Sequence, residues 1–143
     1  MCGDLPFCYL EAGDDARRIQ GIRNMRYLYS NFFERYCVAK VSSTGNDISD
    51  GEIGNICYML WDIFMLHPGN ASPGMVAAAL DVMANALQSK NDNCVISAIH
   101  GLGHWALTAP RAKTILSSWL RQPTTKNETV REYARQGMSG GIL

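Results

Sequence analysis

The sequence predicts an all-α domain of about six helices in three antiparallel pairs, with an irregular helical bundle as the alternative arrangement. Three observations carry this. Apolar residues recur at helical spacing through most of the chain, while alternating apolar and polar runs are absent. Proline, glycine, asparagine and serine punctuate the apolar stretches at the positions where helices start and stop. The chain has 143 residues with 47% apolar content, which is enough to bury one core and suits a single domain spanning residues 1–143.

The segment 1–14, MCGDLPFCYLEAGD, reads as irregular, with Leu5, Phe7 and Tyr9 able to cover the body. A first helix is expected from Asp15 to Lys40, because Ile19, Ile22, Met25, Tyr29, Phe32, Phe33 and Tyr36 follow helical spacing. Gly21 is the expected break within it. The loop VSSTGNDISDG follows, and Ser49 with Glu52 reads as a capping box for a second helix. That helix is expected to reach Leu66, where His67-Pro68-Gly69 stops it. Ser72 and Pro73 then open a third helix running to Ser89. A fourth is expected from Asn93 to Thr108. Pro110 opens a fifth that ends near Gln122, before Pro123. Asn127 caps a sixth, which frays at Gly137, Gly140 and Gly141.

Lysine plus arginine number 13 and aspartate plus glutamate 13, so the net charge is zero. The distribution is mildly dipolar: the five acids Asp47, Asp50, Glu52, Asp62 and Asp81 face one base, Lys90, in the middle, and bases dominate the end. Zero net charge argues against nucleic acid or an anionic membrane as partner. The stretch RRIQGIRNMRYLYSNFFERY interleaves Arg17, Arg18, Arg23, Arg26 and Arg35 with Tyr27, Tyr29 and Tyr36, but Asp14, Asp15 and Glu34 dilute it. It reads as core plus solvated face. No apolar run approaches the roughly 18 residues of a membrane span, and no signal peptide opens the chain. Five cysteines, Cys2, Cys8, Cys37, Cys57 and Cys94, fit neither a disulfide framework nor a zinc knuckle. Cys37, Cys57 and Cys94 read as small core residues in a reducing, cytoplasmic setting.

Internal repetition separates a stack from a bundle. A constant offset lays Ala98, Gly101 and Leu102 on Ala134, Gly137 and Met138, and a looser one lays Cys57 and Trp61 on Ala98 and Leu102. The stretches ALQSKNDNCVISAIHGLGHWA and WLRQPTTKNETVREYARQGMSGGI resemble HEAT-type, armadillo-like helical repeats. Val130, Arg131, Ala134 and Met138 match the family's second-helix pattern, as do Val95, Ala98, Leu102 and Gly103. The resemblance covers about Asn24 to Leu143, and residues 15–143 would then form the repeats. Departures are Ile96 where the family has arginine, the long linker from Val41 to Asp50, and the absence of a proline bend in the first helices. The resemblance implies a short right-handed stack whose second helices line a concave face. It also implies a non-catalytic module taking a protein or peptide partner there, through Met59, Asp62, His100, His104, Glu132 and Gln136. The end Gly140-Gly141-Ile142-Leu143 lacks a polar cap, which favours a homodimer.

The stretch SAIHGLGHWAL carries the sharpest chemical signal. On a helix of about 100° per residue, Cys94, Val95, Ala98, Ile99, Leu102, Trp105 and Ala106 share one core face. Ile96, Ser97, His100, Gly103, His104 and Leu107 fall on the other, a half-exposed inner surface. His100 and His104 stand one turn apart, a spacing that can chelate zinc, with Asp62 or Glu132 as third ligand. The position that holds the general base in His-Glu-x-x-His enzymes is Gly101, so this alternative is a metal-binding protein or hydrolase without that base. Gly101 and Gly103 follow no strand and form no phosphate loop; they read as close helix contacts. No cofactor is expected. Cys94 lies opposite the histidines, which removes a cysteine–histidine pair within the helix. Asp62, inside the apolar run CYMLWDIFML, needs a partner such as Arg26 or a histidine of the fourth helix.

Overall fold

The structure, a computed structural model, describes residues 12–37 and 52–142. These residues are helical with no strand among them, which makes the domain all-α. Leu5, Phe7, Tyr9, Cys2, Cys8, Lys40, Ser49 and the loop of residues 41–51 lie outside the described residues.

Helix α1 (Asp15–Leu28) starts where Asp14 accepts the Arg17 amide at 2.8 Å. Gly21 does not break it. The irregularity comes later, as a π-helical turn at Tyr29–Phe33, followed by the short α2 (Glu34–Tyr36). The turn seats both Tyr29 and Phe33 in the core, with their rings edge-on at 5.7 Å. Cys37 then takes an extended conformation and ends the helix.

The second predicted helix is two pieces, α3 (Glu52–Tyr58) and α4 (Leu60–Ile63), broken at Met59. It ends at Ile63, short of the expected Leu66. The reversal uses Met65 at φ 53, a left-handed conformation rare for a side chain of this size. Asn70 holds that turn by accepting the His67 amide at 2.8 Å and donating to the Met65 carbonyl at 2.9 Å.

Helix α5 (Pro73–Ala86) opens as the sequence predicts, with Ser72 accepting the Met75 amide and Pro73 in the first turn. Ser72 also donates to Asp15 at 2.8 Å, tying the starts of α5 and α1 together. Helix α6 (Asp92–Trp105) starts one residue before the expected Asn93 and is capped by Asn91. The reason is tertiary: the Asn91 amide group also donates to the Cys37 and Glu34 carbonyls, so that side chain is fixed before the helix begins. Helices α7 (Pro110–Arg121) and α8 (Glu128–Met138) start at Pro110 and after the Asn127 cap.

The helices pack in two rows. In one, α1 packs on α5 and α5 on α7; in the other, α3 and α4 pack on α6 and α6 on α8. Across the rows α5 meets α6 and α7 meets α8. Helix α6 is therefore surrounded. From Asn93 to Trp105 every residue but His104 is buried. This departs from the expected half-exposed face, because Ile96, Ser97, His100 and Gly103 are covered as fully as the core face. One run of buried polar groups is satisfied in a chain: Trp61 Nε1 donates to the Tyr29 hydroxyl at 2.9 Å, which lies 2.8 Å from Ser97 Oγ, which donates to the Cys57 carbonyl. Cys37, Cys57 and Cys94 are buried free thiols. No described helix is long and apolar enough to cross a membrane.

Candidate metal centre

Two glycines govern how close the flanking helices come to α6. A Cβ on Gly101 would stand 2.6 Å from Trp61 Cδ1, so only glycine lets the Trp61 ring seat there. Asp62 follows Trp61 and is carried to the α6 surface with it. A Cβ on Gly103 would overlap the Ile142 side chain and lie 3.1 Å from the Cα of Gly137, so α6 and α8 cross backbone to backbone. Tyr133 is one turn before Gly137 and arrives on the other side. Each mid-helix glycine costs about 1 kcal/mol, and these two approaches are what that cost makes possible.

Between them sits His100, 2% exposed. Its Nε2 is 2.8 Å from Asp62 Oδ2 and 3.1 Å from His104 Nε2. His104 Nε2 in turn is 3.7 Å from Asp62 Oδ1. The two imidazoles meet edge to face with centroids 4.5 Å apart. The other nitrogen of His100, Nδ1, is 2.8 Å from the Tyr133 hydroxyl, which is 3.0 Å from the Tyr58 hydroxyl. The Tyr58 ring also lies against the His100 ring at 4.2 Å. Side-chain exposure is 34% for Asp62 and 37% for His104, so the cluster opens to solvent on their side.

Protons are scarce at this junction. A neutral imidazole carries one N–H. If His100 holds it on Nε2, Asp62 and His104 compete to accept the same proton. If His100 holds it on Nδ1, a bare Nε2 faces a carboxylate and a second imidazole. Burial lowers the His100 pKa from its ordinary value, against the opposing pull of the Asp62 carboxylate, so the neutral ring is favoured. Burial and the adjoining Tyr58 hydroxyl raise the Tyr133 pKa, which keeps that phenol protonated.

One donor atom from each of Asp62, His100 and His104 fits within a sphere of mutual separations under 4.8 Å. Of the residues singled out from the sequence, these three come together. Glu132, the other carboxylate considered as third ligand, does not join them: its carboxylate pairs with Arg135 at 2.8 Å on the exposed side of α8. Gln136 is exposed on α8, and Met59 is exposed at the break between α3 and α4. Arg26, offered as a partner for Asp62, instead donates to the Tyr27 hydroxyl at 2.8 Å. Tyr58 and Tyr133 are absent from the sequence-derived candidates. Their local patterns mark them as ordinary helix residues, and only the adjacency of Tyr133 to Glu132 points near them. Comparison with protein-family models, with curated proteins and with solved structures finds no match.

Proposed function

We propose that the protein binds one divalent transition-metal ion, of zinc type, through Asp62, His100 and His104. The observation that carries this is the set of donor separations, 2.8, 3.1 and 3.7 Å. Two ligands about 2.0–2.1 Å from a tetrahedral ion stand roughly 3.3–3.4 Å apart, so the separations among the two imidazole nitrogens and the two Asp62 carboxylate oxygens already bracket the spacing a metal requires. Two imidazoles with one carboxylate favour zinc and its transition-metal neighbours over magnesium or calcium, which take oxygen donors. A cation also removes the competition for protons, since it satisfies three facing lone pairs at once. The burial of His100 supports the same ranking, because a ring with both nitrogens engaged inside the protein offers little to a docking partner.

The test is calorimetric titration of chelator-treated protein with zinc. The expected result is one ion per chain, lost when His100 and His104 are both replaced by alanine. Absence of binding by the unaltered protein sinks the proposal.

A second reading keeps the chain as a HEAT-like module that takes a protein or peptide partner, a second copy included. Ile56, Met59 and Ile63 support it: all three are exposed, on α3, at the Met59 break and on α4 next to Asp62. Light scattering of the unaltered protein and of a Met59→Ser, Ile63→Ser variant tests the homodimer. A monomer in both removes that form of the reading.

A further inference from the structure

We propose that Tyr133, backed by Tyr58, is the positioning residue that sets the tautomer of His100 and thereby its competence to hold metal. This rests on the metal reading above. It adds a role for two residues that touch no metal.

The argument starts from the hydroxyl chain. Tyr133 stands 2.8 Å from His100 Nδ1 and Tyr58 stands 3.0 Å from Tyr133. Each phenol has one proton to give and lone pairs to accept. Two arrangements satisfy the contacts from Nδ1 through Tyr133 to Tyr58. In the first, Tyr58 donates to Tyr133, Tyr133 donates to Nδ1, and the His100 proton sits on Nε2, aimed at Asp62. In the second, Nδ1–H donates to Tyr133, Tyr133 donates to Tyr58, and Nε2 presents a bare lone pair toward Asp62 and His104. Only the second can coordinate a cation.

Metal binding therefore reverses the chain. The Nε2 proton leaves to solvent on the open side of Asp62 and His104. Nδ1 takes the Tyr133 hydroxyl proton, Tyr133 takes that of Tyr58, and Tyr58, which is half-buried, is refilled from water. Both phenols end neutral and the imidazole ends neutral, so the protons balance. An outer partner of this kind fixes ring orientation and raises ligand basicity, and its loss typically costs 10–100-fold in metal affinity. The close approach of Gly103 and Gly137 brings α8, which carries Tyr133 one turn earlier, against α6.

The experiment has three arms. Nitrogen-15 NMR of the histidine rings in the unaltered protein reads the tautomer directly. His100 is expected as Nε2–H without metal and Nδ1–H with zinc. Zinc titration of Tyr133→Phe is expected to show about 10–100-fold weaker binding, with the helical circular dichroism retained. Zinc titration of Tyr58→Phe, which leaves the Tyr133 acceptor in place, is expected to show a smaller loss. If the unaltered protein binds zinc but Tyr133→Phe binds equally well, or if zinc leaves the His100 tautomer unchanged, the Tyr133 role is overturned while metal binding stands. If the unaltered protein binds no zinc, both fall. The tautomer measurement needs no variant, so a Tyr133→Phe chain that fails to fold still leaves a decisive result.

Discussion

His100 Nε2 and Asp62 Oδ2 stand 2.8 Å apart across the contact between α4 and α6, and that contact exists because Gly101 has no side chain to keep Trp61 away. One buried imidazole thus joins a carboxylate from one helix to a phenol from another. The consequences differ sharply from residue to residue.

The two histidines separate in their effect on stability. His104→Ala removes a side chain 37% exposed and leaves urea stability within about 0.5 kcal/mol. His100→Ala removes a buried ring and leaves Asp62 and Tyr133 short of a partner, which costs about 1–3 kcal/mol. Each should abolish zinc binding at the proposed site. Equal stability losses in urea denaturation would contradict the assigned burial.

Zinc at the proposed site should stabilise the folded chain by mass action. At a free concentration about 100 times Kd the gain is about 2.7 kcal/mol, a rise in Tm of roughly 5–10 °C for a domain of this size. Chelation reverses it. The Asp62→Asn protein should show little of this rise in a thermal melt.

Glycine replacements sort by position. A Cβ at Gly21 would meet nothing within 4 Å, so Gly21→Ala raises stability by up to about 1 kcal/mol through helix propensity alone. Gly101→Ala places a methyl 2.6 Å from Trp61 and costs about 1–3 kcal/mol. It also displaces Asp62 with Trp61, so zinc affinity falls together with stability. Thermal melts and zinc titrations of the two variants read the contrast.

Acid destabilises the metal-free protein through His100. Its folded pKa is lowered by burial, so the unfolded chain takes the proton first. The contribution is fully present above the unfolded value of about 6.5 and is lost as pH falls from there toward the folded pKa. In chelator-treated protein, urea midpoints should decline below about pH 6.5, and His100→Gln should flatten that part of the curve.

What was legible in the sequence was local. Ser72 with Pro73, Pro110 and Asn127 mark helix starts by chemistry contained within a turn, and the structure starts helices there. The π turn at Tyr29 and the choice of Asn91 as cap involve distant groups, Ser97 and Cys37, and no window of the chain holds that information. The histidine spacing was legible because both residues share one helix. Asp62 stood out in sequence as a carboxylate inside an apolar run, with Glu132 as the other candidate third ligand; Arg135, three residues after Glu132, pairs with that carboxylate instead. The burial of His100 was not legible, because periodicity describes one face of α6 and not what covers the others.

Helix α6 meets α3, α4, α5, α7 and α8, and it has no solvent-facing side through most of its length. Its amide hydrogens can reach water only when the surrounding helices part. They should therefore exchange with deuterium last and together, at a rate set by opening of the whole domain, while the exposed amides of the α1 start exchange early.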